Sequence, residues 1–140
     1  MSTVVDTLED LEPLVGNSLG ASSWVEITQE RINTFADATD DHQWIHVDPD
    51  RSARESPFGT TVAHGFLTLS LLPSMLADVL VMVDAKLVVN YGLNKVRFPA
   101  PVPAGSRVRG SIVLAALDEE AGSSQLTLAV TVEREGGTKP

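Results

Sequence analysis

Along this chain the spacing of apolar and polar positions changes several times, and each change marks a predicted element. Thr28 is placed as a helix N-cap with Ile27 and Ile32 as a hydrophobic staple, and Ile32, Phe35 and Ala36 follow at helical spacing, which predicts a helix over 29–38. Asp48-Pro49-Asp50 reads as an N-cap, a first-position proline and a first-turn acid, opening a short helix through about Arg54. Between them the polar stretch Thr39 to His46 is a predicted loop. From His64-Gly65 onward, apolar residues from Phe66 to Leu80 leave almost no polar face, the pattern of a long helix covered on several sides. Pro73 inside it should kink the helix or divide it. After Asp84 the period shortens. Lys86 to Tyr91 and Lys95 to Phe98 are β-like, PAPVPAG is a turn-rich break, Arg107 to Leu117 is a long strand and DEEAGSS a hairpin loop. Leu126, Leu128, Val130 and Val132 then alternate with Gln125, Thr127, Ala129 and Thr131, so one sheet face is buried and the other wetter. An antiparallel sheet around one long helix is an α+β arrangement.

Composition narrows the field. A chain of 140 residues with 43% hydrophobic content can bury one continuous core, and no repeat or linker divides it, so a single domain over 1–140 is expected. Nineteen acidic against ten basic residues give a net charge of -9, which opposes binding to nucleic acid or an anionic membrane surface. Lys95, Arg97, Arg107 and Arg109 lie close in sequence and could meet an anionic ligand, although a solvated strand face is the simpler account of each. With no cysteine there is no disulfide, thiolate metal site or cysteine nucleophile. The N-terminal stretch MSTVVDTLEDLEPL carries acidic residues and no basic one, the reverse of a signal sequence, and Ser70, Pro73, Ser74 and Asp78 interrupt the longest apolar stretch. A soluble, cytoplasmic protein is the expectation.

The segment TDDHQWIHVD gathers Asp40, Asp41, His42, His46 and Asp48 within ten residues. A carboxylate and an imidazole held together can position a water and move its proton, because histidine titrates near neutrality. Asp41 and His46 are the candidates for this pairing, although their spacing alone equally describes a capping acid and a surface histidine. His42 and His46 form an H-x-x-x-H pair, but Gln43 stands where a zinc-protease pattern needs Glu, so no metal is expected. Serine-hydrolase, P-loop and dinucleotide motifs are absent. Gly65, opening the apolar helix, would let a ligand approach first-turn amides suited to a developing oxyanion. Close packing would explain the glycine as well, and His64 before it reads as a core histidine.

Taken together, FADATDDHQWIHVDPDRSARESPFGTTVAHGFLTLSLLP resembles the MaoC-like, R-specific enoyl-CoA hydratase (hydratase 2) family. The family motif runs A-x-x-[ST]-G-D-x-N-P-[IL]-H-x-D, then a spacer to an H-G pair at the central helix. Thr39, Asp41, Ile45, His46, Asp48, His64 and Gly65 match it, while Asp40, Gln43 and Trp44 depart. The Q-W-I-H variant and YGLNKVRFPAPVPAGSRVRG are similar to the branch containing nodulation protein N-like proteins. The resemblance implies a single hot-dog fold, a long central helix wrapped by an antiparallel β-sheet, working as a homodimer in fatty acid metabolism. It places water activation on Asp41 and His46 and the thioester oxygen on the Gly65 amide. Gln43 takes the place of the motif asparagine that helps position water or acyl group.

The implied activity is hydration of trans-2-enoyl thioesters of CoA or acyl carrier protein, or the reverse 3-hydroxyacyl dehydration, with no cofactor. Two other readings are a hot-dog acyl-CoA thioesterase and a non-catalytic acyl-CoA-binding module. A thioesterase would carry an acid on or near the central helix, where only Asp78 is available; the paired Asp41 and His46 argue against a passive binder. The family sheet normally ends with one strand more than EREGGTKP provides, and a C-terminal segment beyond Pro140 is expected to supply it.

Overall fold

The computed structural model describes residues 2–120 and 122–137. In chain order the elements are β1 (Thr3–Val5), a 3-10 helix (Leu8–Leu14), β2 (Ser18–Ala21), β3 (Val25–Glu26), α1 (Gln29–Thr39), α2 (Trp44–Val47), α3 (Pro49–Glu55), α4 (Gly65–Ser70), α5 (Leu72–Val79), β4 (Leu80–Met82), β5 (Arg107–Glu120) and β6 (Ser123–Arg134). The helices, a four-stranded sheet in which β2 and β3 run antiparallel to β5, and a separate parallel pair of β1 and β4 make the expected α+β architecture, organised as two compact units. β5 is the common strand: β2, β3 and β6 all pair with it.

The first unit comprises the N-terminal stretch through Ser23, Leu72–Arg97 and Arg109–Val132. β2 runs antiparallel to β5, with Ala21 opposite Ser111 and Ser18 opposite Val113 and a register shift between Ser18 and Gly20. Leu11, Leu19, Val79, Ile112 and Leu114 are buried in one cluster, against which Leu126, Leu128 and Val130 of β6 pack as their alternation requires. Gly110 permits the close approach of α5, since a Cβ there would lie 3.0 Å from Met75 Sδ.

The second unit comprises Trp24–Leu71, Phe98–Val108 and the chain from Glu133 onward. β3 pairs with the start of β5, Val25 opposite Val108 and Glu26 opposite Arg107. The Thr28 hydroxyl accepts the Arg31 N–H at 3.0 Å, and Ile27 and Ile32 are fully buried, as a capped and stapled α1 demands. Asp48 caps α3 in the same way through the Arg51 N–H at 3.0 Å, with Pro49 first in the helix.

The central helix divides near Pro73 as read: α4 stops at Ser70, and Pro73, lacking an N–H, sits in the first turn of α5, where none is needed. Four expectations need correction. His46 lies on the one-turn helix α2 instead of in a loop. Leu80 belongs to β4, which pairs in parallel with β1, so strand pairing overrides the continuing apolar pattern. Lys86 to Tyr91 and Lys95 to Phe98 form no strand; Leu87 is 82% and Tyr91 87% exposed, because nothing in the described chain pairs with this β-like segment. The expected hairpin loop is shortened by the lengths of β5 and β6, and its residue Ala121 lies outside the described residues. No helix among the described residues is long and apolar enough to cross a membrane.

Asp78, the acid on α5, is tied to Ser23, whose backbone N–H donates to its carboxylate. The Ser23 backbone N–H first, and its side chain second, hold the Asp78 carboxyl below its ordinary value. The ionised form is therefore favoured in the native state, and its contribution is complete above the ordinary aspartate range and lost as pH falls through the lowered native value. Thermal melts over the acid range should show a shallower fall in Tm for Asp78→Asn than for the parent chain; parallel curves would exclude this contribution.

Candidate active site

The candidate residues converge in the second unit. α1 closes at Asp40, which adopts a left-handed conformation (φ 60°, ψ 24°). Asp tolerates that region better than most residues, and Gly best of all, which explains the glycine of the family motif at this position. The reversal delivers Asp41, whose side chain is 51% exposed and whose carboxylate accepts the Gln43 backbone N–H. Gln43 precedes α2, and its carbonyl accepts the His46 N–H at 3.0 Å, so α2 turns the His46 ring inward, where the residue is 8% exposed. Gln43 is itself exposed, and among the described residues no hydrogen bond joins its side chain to Asp41 or His46.

His46 Nδ1 lies 2.7 Å from the Val62 carbonyl oxygen. A carbonyl only accepts, so Nδ1 donates to it, and in the neutral ring Nε2 then holds the lone pair that a general base requires. Three further contacts hold this arrangement. The Val62 N–H donates to the Ile45 carbonyl at 3.0 Å, the Gln29 amide donates to the His46 carbonyl at 2.7 Å, and the Thr61 hydroxyl donates to Gln29 Oε1. His64 stacks on His46 with ring centroids 3.9 Å apart and 23° between planes, and its Nε2 lies 2.9 Å from the Asp41 backbone oxygen. Phe35 covers the His64 ring at 4.9 Å. Outside this group His42 pairs with Asp37 at 2.9 Å, and Arg51 lies over Trp44 while bonding Glu55.

One possible ligand atom each from Asp41, His46 and His64 lies within 4.8 Å of the others. A transition metal needs lone pairs converging at about 2.0–2.2 Å. The stacked rings, 23° apart in plane, send theirs out in nearly parallel planes. The spacing instead suits a water bridging carboxylate and imidazole, with hydrogen bonds of ordinary length to each.

Gly65 is the first residue of α4, where backbone N–H groups have no acceptor within the helix. The space over its Cα is taken by Phe98: a Cβ would lie 2.9–3.1 Å from three ring carbons of that side chain, and the Phe66 ring meets Phe98 edge-on at 6.0 Å. Of the four cations close in sequence, Arg107 is paired with Glu135 at 3.2 Å, while Lys95 and Arg97 are exposed. Sequence reasoning did not single out Gln29, Thr61, Phe35 or Phe98 for the site. Their partners lie too far along the chain to leave a local pattern.

A carboxylate and an imidazole this close together, beside the first turn of a helix, are a site suited to acid–base chemistry on a helix-and-sheet scaffold. The chain belongs to the MaoC-like family: the family profile described as MaoC like domain matches residues 10–135. It is 54% identical over 136 residues to 3-hydroxyacyl-thioester dehydratase Z of Mycobacterium tuberculosis, covering 96% of this chain and 89% of that one. It is 49% identical over 137 residues to nodulation protein N of Rhizobium leguminosarum bv. viciae, covering 96% and 84%. The solved (R)-hydratase from A. caviae superposes with a TM-score of 0.70 at 24% identity, over 88% of this chain and 86% of that one, and shares the hot-dog fold.

The Phe98 contact gives Gly65 a testable constraint. Gly65→Ala should cost about 1–3 kcal/mol by overpacking against the ring. In a Phe98→Ala background the same change should become neutral or stabilising, since alanine favours helix by up to about 1 kcal/mol. Urea denaturation of the four proteins measures both, and an equal cost in the two backgrounds would place the strain elsewhere.

Proposed function

We propose that this chain is an R-specific 2-enoyl-CoA hydratase, equally a 3-hydroxyacyl dehydratase, with Asp41 and His46 as its catalytic pair. The observation that carries the reading is the approach of the Asp41 carboxylate to an imidazole whose Nδ1 is bonded to Val62 O, leaving Nε2 as base. The relative named 3-hydroxyacyl-thioester dehydratase supports the same class at 54% identity. The profile match over 10–135 supports reading 1–140 as one MaoC-like domain.

In this mechanism Asp41 and His46 hold one water from two sides. As its oxygen bonds to C3 of the enoyl thioester, Nε2 takes a proton. The alkene electrons move through C2 onto the thioester oxygen, which the Gly65 N–H receives as it becomes negative. The carbonyl re-forms when C2 takes a proton from the Asp41–His46 pair, so water is added overall and the pair returns to its starting state. Delivery from one side accounts for a single stereochemical product. Gln43 lies beside the pair and would contact the acyl group or water only after its side chain turns inward. The substrate is a thioester of CoA or acyl carrier protein, and the setting is cytoplasmic. A thioesterase has less support, because the Asp78 carboxylate is engaged by Ser23.

Loss of enoyl absorbance from crotonyl-CoA tests the activity. Asp41→Asn and His46→Gln should each lower kcat by about 10² to 10⁴. The double variant should be little worse than the worse single one, because both serve one proton circuit. Near-normal hydration by both folded single variants would leave acyl binding as the better reading.

The proposal includes a homodimer. Leu87, Val88, Val89 and Tyr91 are all exposed, and among the described residues no N–H between 86 and 101 donates to a backbone carbonyl. Such a segment is suited to strand pairing with a second copy. Light scattering at micromolar concentration should give twice the chain mass, and Leu87→Asp/Val89→Asp should give the single chain. A monomeric parent protein would refute this assembly.

A further inference from the structure

We infer that His64 is a positioning residue that sets Asp41 and His46 in register for the reaction; the inference rests on the assignment of that pair. As a core residue His64 is a poor choice. It is 3% exposed, and its Nδ1 is buried without a hydrogen-bond partner among the described residues. An unsatisfied buried acceptor costs about 1–3 kcal/mol. Its ring is covered by Phe35 at 4.9 Å and by His46 at 3.9 Å, surroundings that a phenylalanine would fill without that cost. The imidazole supplies one thing a phenyl ring lacks, the Nε2–H bond of 2.9 Å to the Asp41 backbone oxygen.

This bond and the stack act on different members of the pair. The hydrogen bond holds the backbone of Asp41, the residue just after the left-handed turn at Asp40, and so limits where an otherwise half-exposed carboxylate can swing. The stack holds the plane of the His46 ring, while the Val62 carbonyl holds its Nδ1 edge. One rigid ring at the start of α4 thereby references both ends of the bridging water to the same support. His64 Nε2 lies 4.0 Å from the nearer Asp41 carboxylate oxygen, beyond hydrogen-bond reach, so the carboxylate stays available to the water. His64 touches neither water nor thioester in this role.

Two variants separate positioning from packing. His64→Phe keeps the stack, removes the orphaned nitrogen and deletes the donor; His64→Gln keeps an N–H near the Nε2 position. With crotonyl-CoA, His64→Phe should fold with Tm no lower than the parent and lose about 10²-fold in kcat, the scale of a small misplacement, with KM changed by less than about threefold. His64→Gln should recover at least about tenfold of that loss. Normal kcat in His64→Phe, or equal losses in both variants, would overturn the inference. Asp41→Asn assayed alongside distinguishes the failures: its retained activity would sink the pair itself, whereas its loss beside a normal His64→Phe would sink only the role of His64. If His64→Phe does not fold, 1H–15N correlation spectra of the parent chain's three histidines decide the matter. They should show a His64 proton on Nε2, and a neutral ring protonated on Nδ1 alone would remove the bond on which the inference stands.

Discussion

The Val62 carbonyl and the imidazole of His46 meet across sixteen residues of chain, and the rest of the site depends on that bond. It selects the tautomer of the neutral ring and orients it. The neighbouring Val62 N–H returns a bond to Ile45, so α2 and the 61–63 segment hold each other at two points. A single buried hydrogen bond contributes about 1 kcal/mol net, but leaving the Val62 oxygen unpaired would cost about 1–3 kcal/mol. That asymmetry makes the ring orientation a structural requirement as well as a chemical one.

Around this bond the local structure works as a sequence of stops. Thr28 starts α1, Asp40 ends it by turning left-handed, and Asp48 starts α3, leaving room between them for only one turn of helix. Asp41 and His46 therefore sit on opposite sides of a short, doubly capped excursion, and neither end can slide without breaking a cap. Gln29 and Thr61 brace the same excursion from α1 and from the segment before α4. Rigid placement of this kind suits acid–base chemistry, where about an ångström of misplacement can cost a factor near 10².

The segment from Lys86 to Phe98 shows the opposite behaviour. Its composition is that of a strand, yet its apolar side chains are exposed and its backbone forms no ladder among the described residues. Strand propensity describes a preference for a pleated, half-buried surface, and without a neighbouring strand that preference goes unmet. Phe98, at its end, is half-exposed as well, yet its ring fills the space that Gly65 leaves open.

What the sequence by itself determined is what neighbouring residues can encode. The caps at Thr28 and Asp48, the Ile27–Ile32 staple, the break near Pro73 and the alternation of β6 all arise from interactions within a turn or two, and all occur as read. The residue types of TDDHQWIHVD and the following His-Gly carried the family resemblance, including Asp41 and His46. Tertiary structure decided the rest. The proton on His46 is placed by Val62, His64 finds its acceptor at Asp41 twenty-three residues away, and Leu80 leaves the helical pattern because β1 offers a strand to pair with. These outcomes depend on where the chain returns, and a hydrogen-bond partner so distant in sequence leaves no periodicity or local motif at the position it governs.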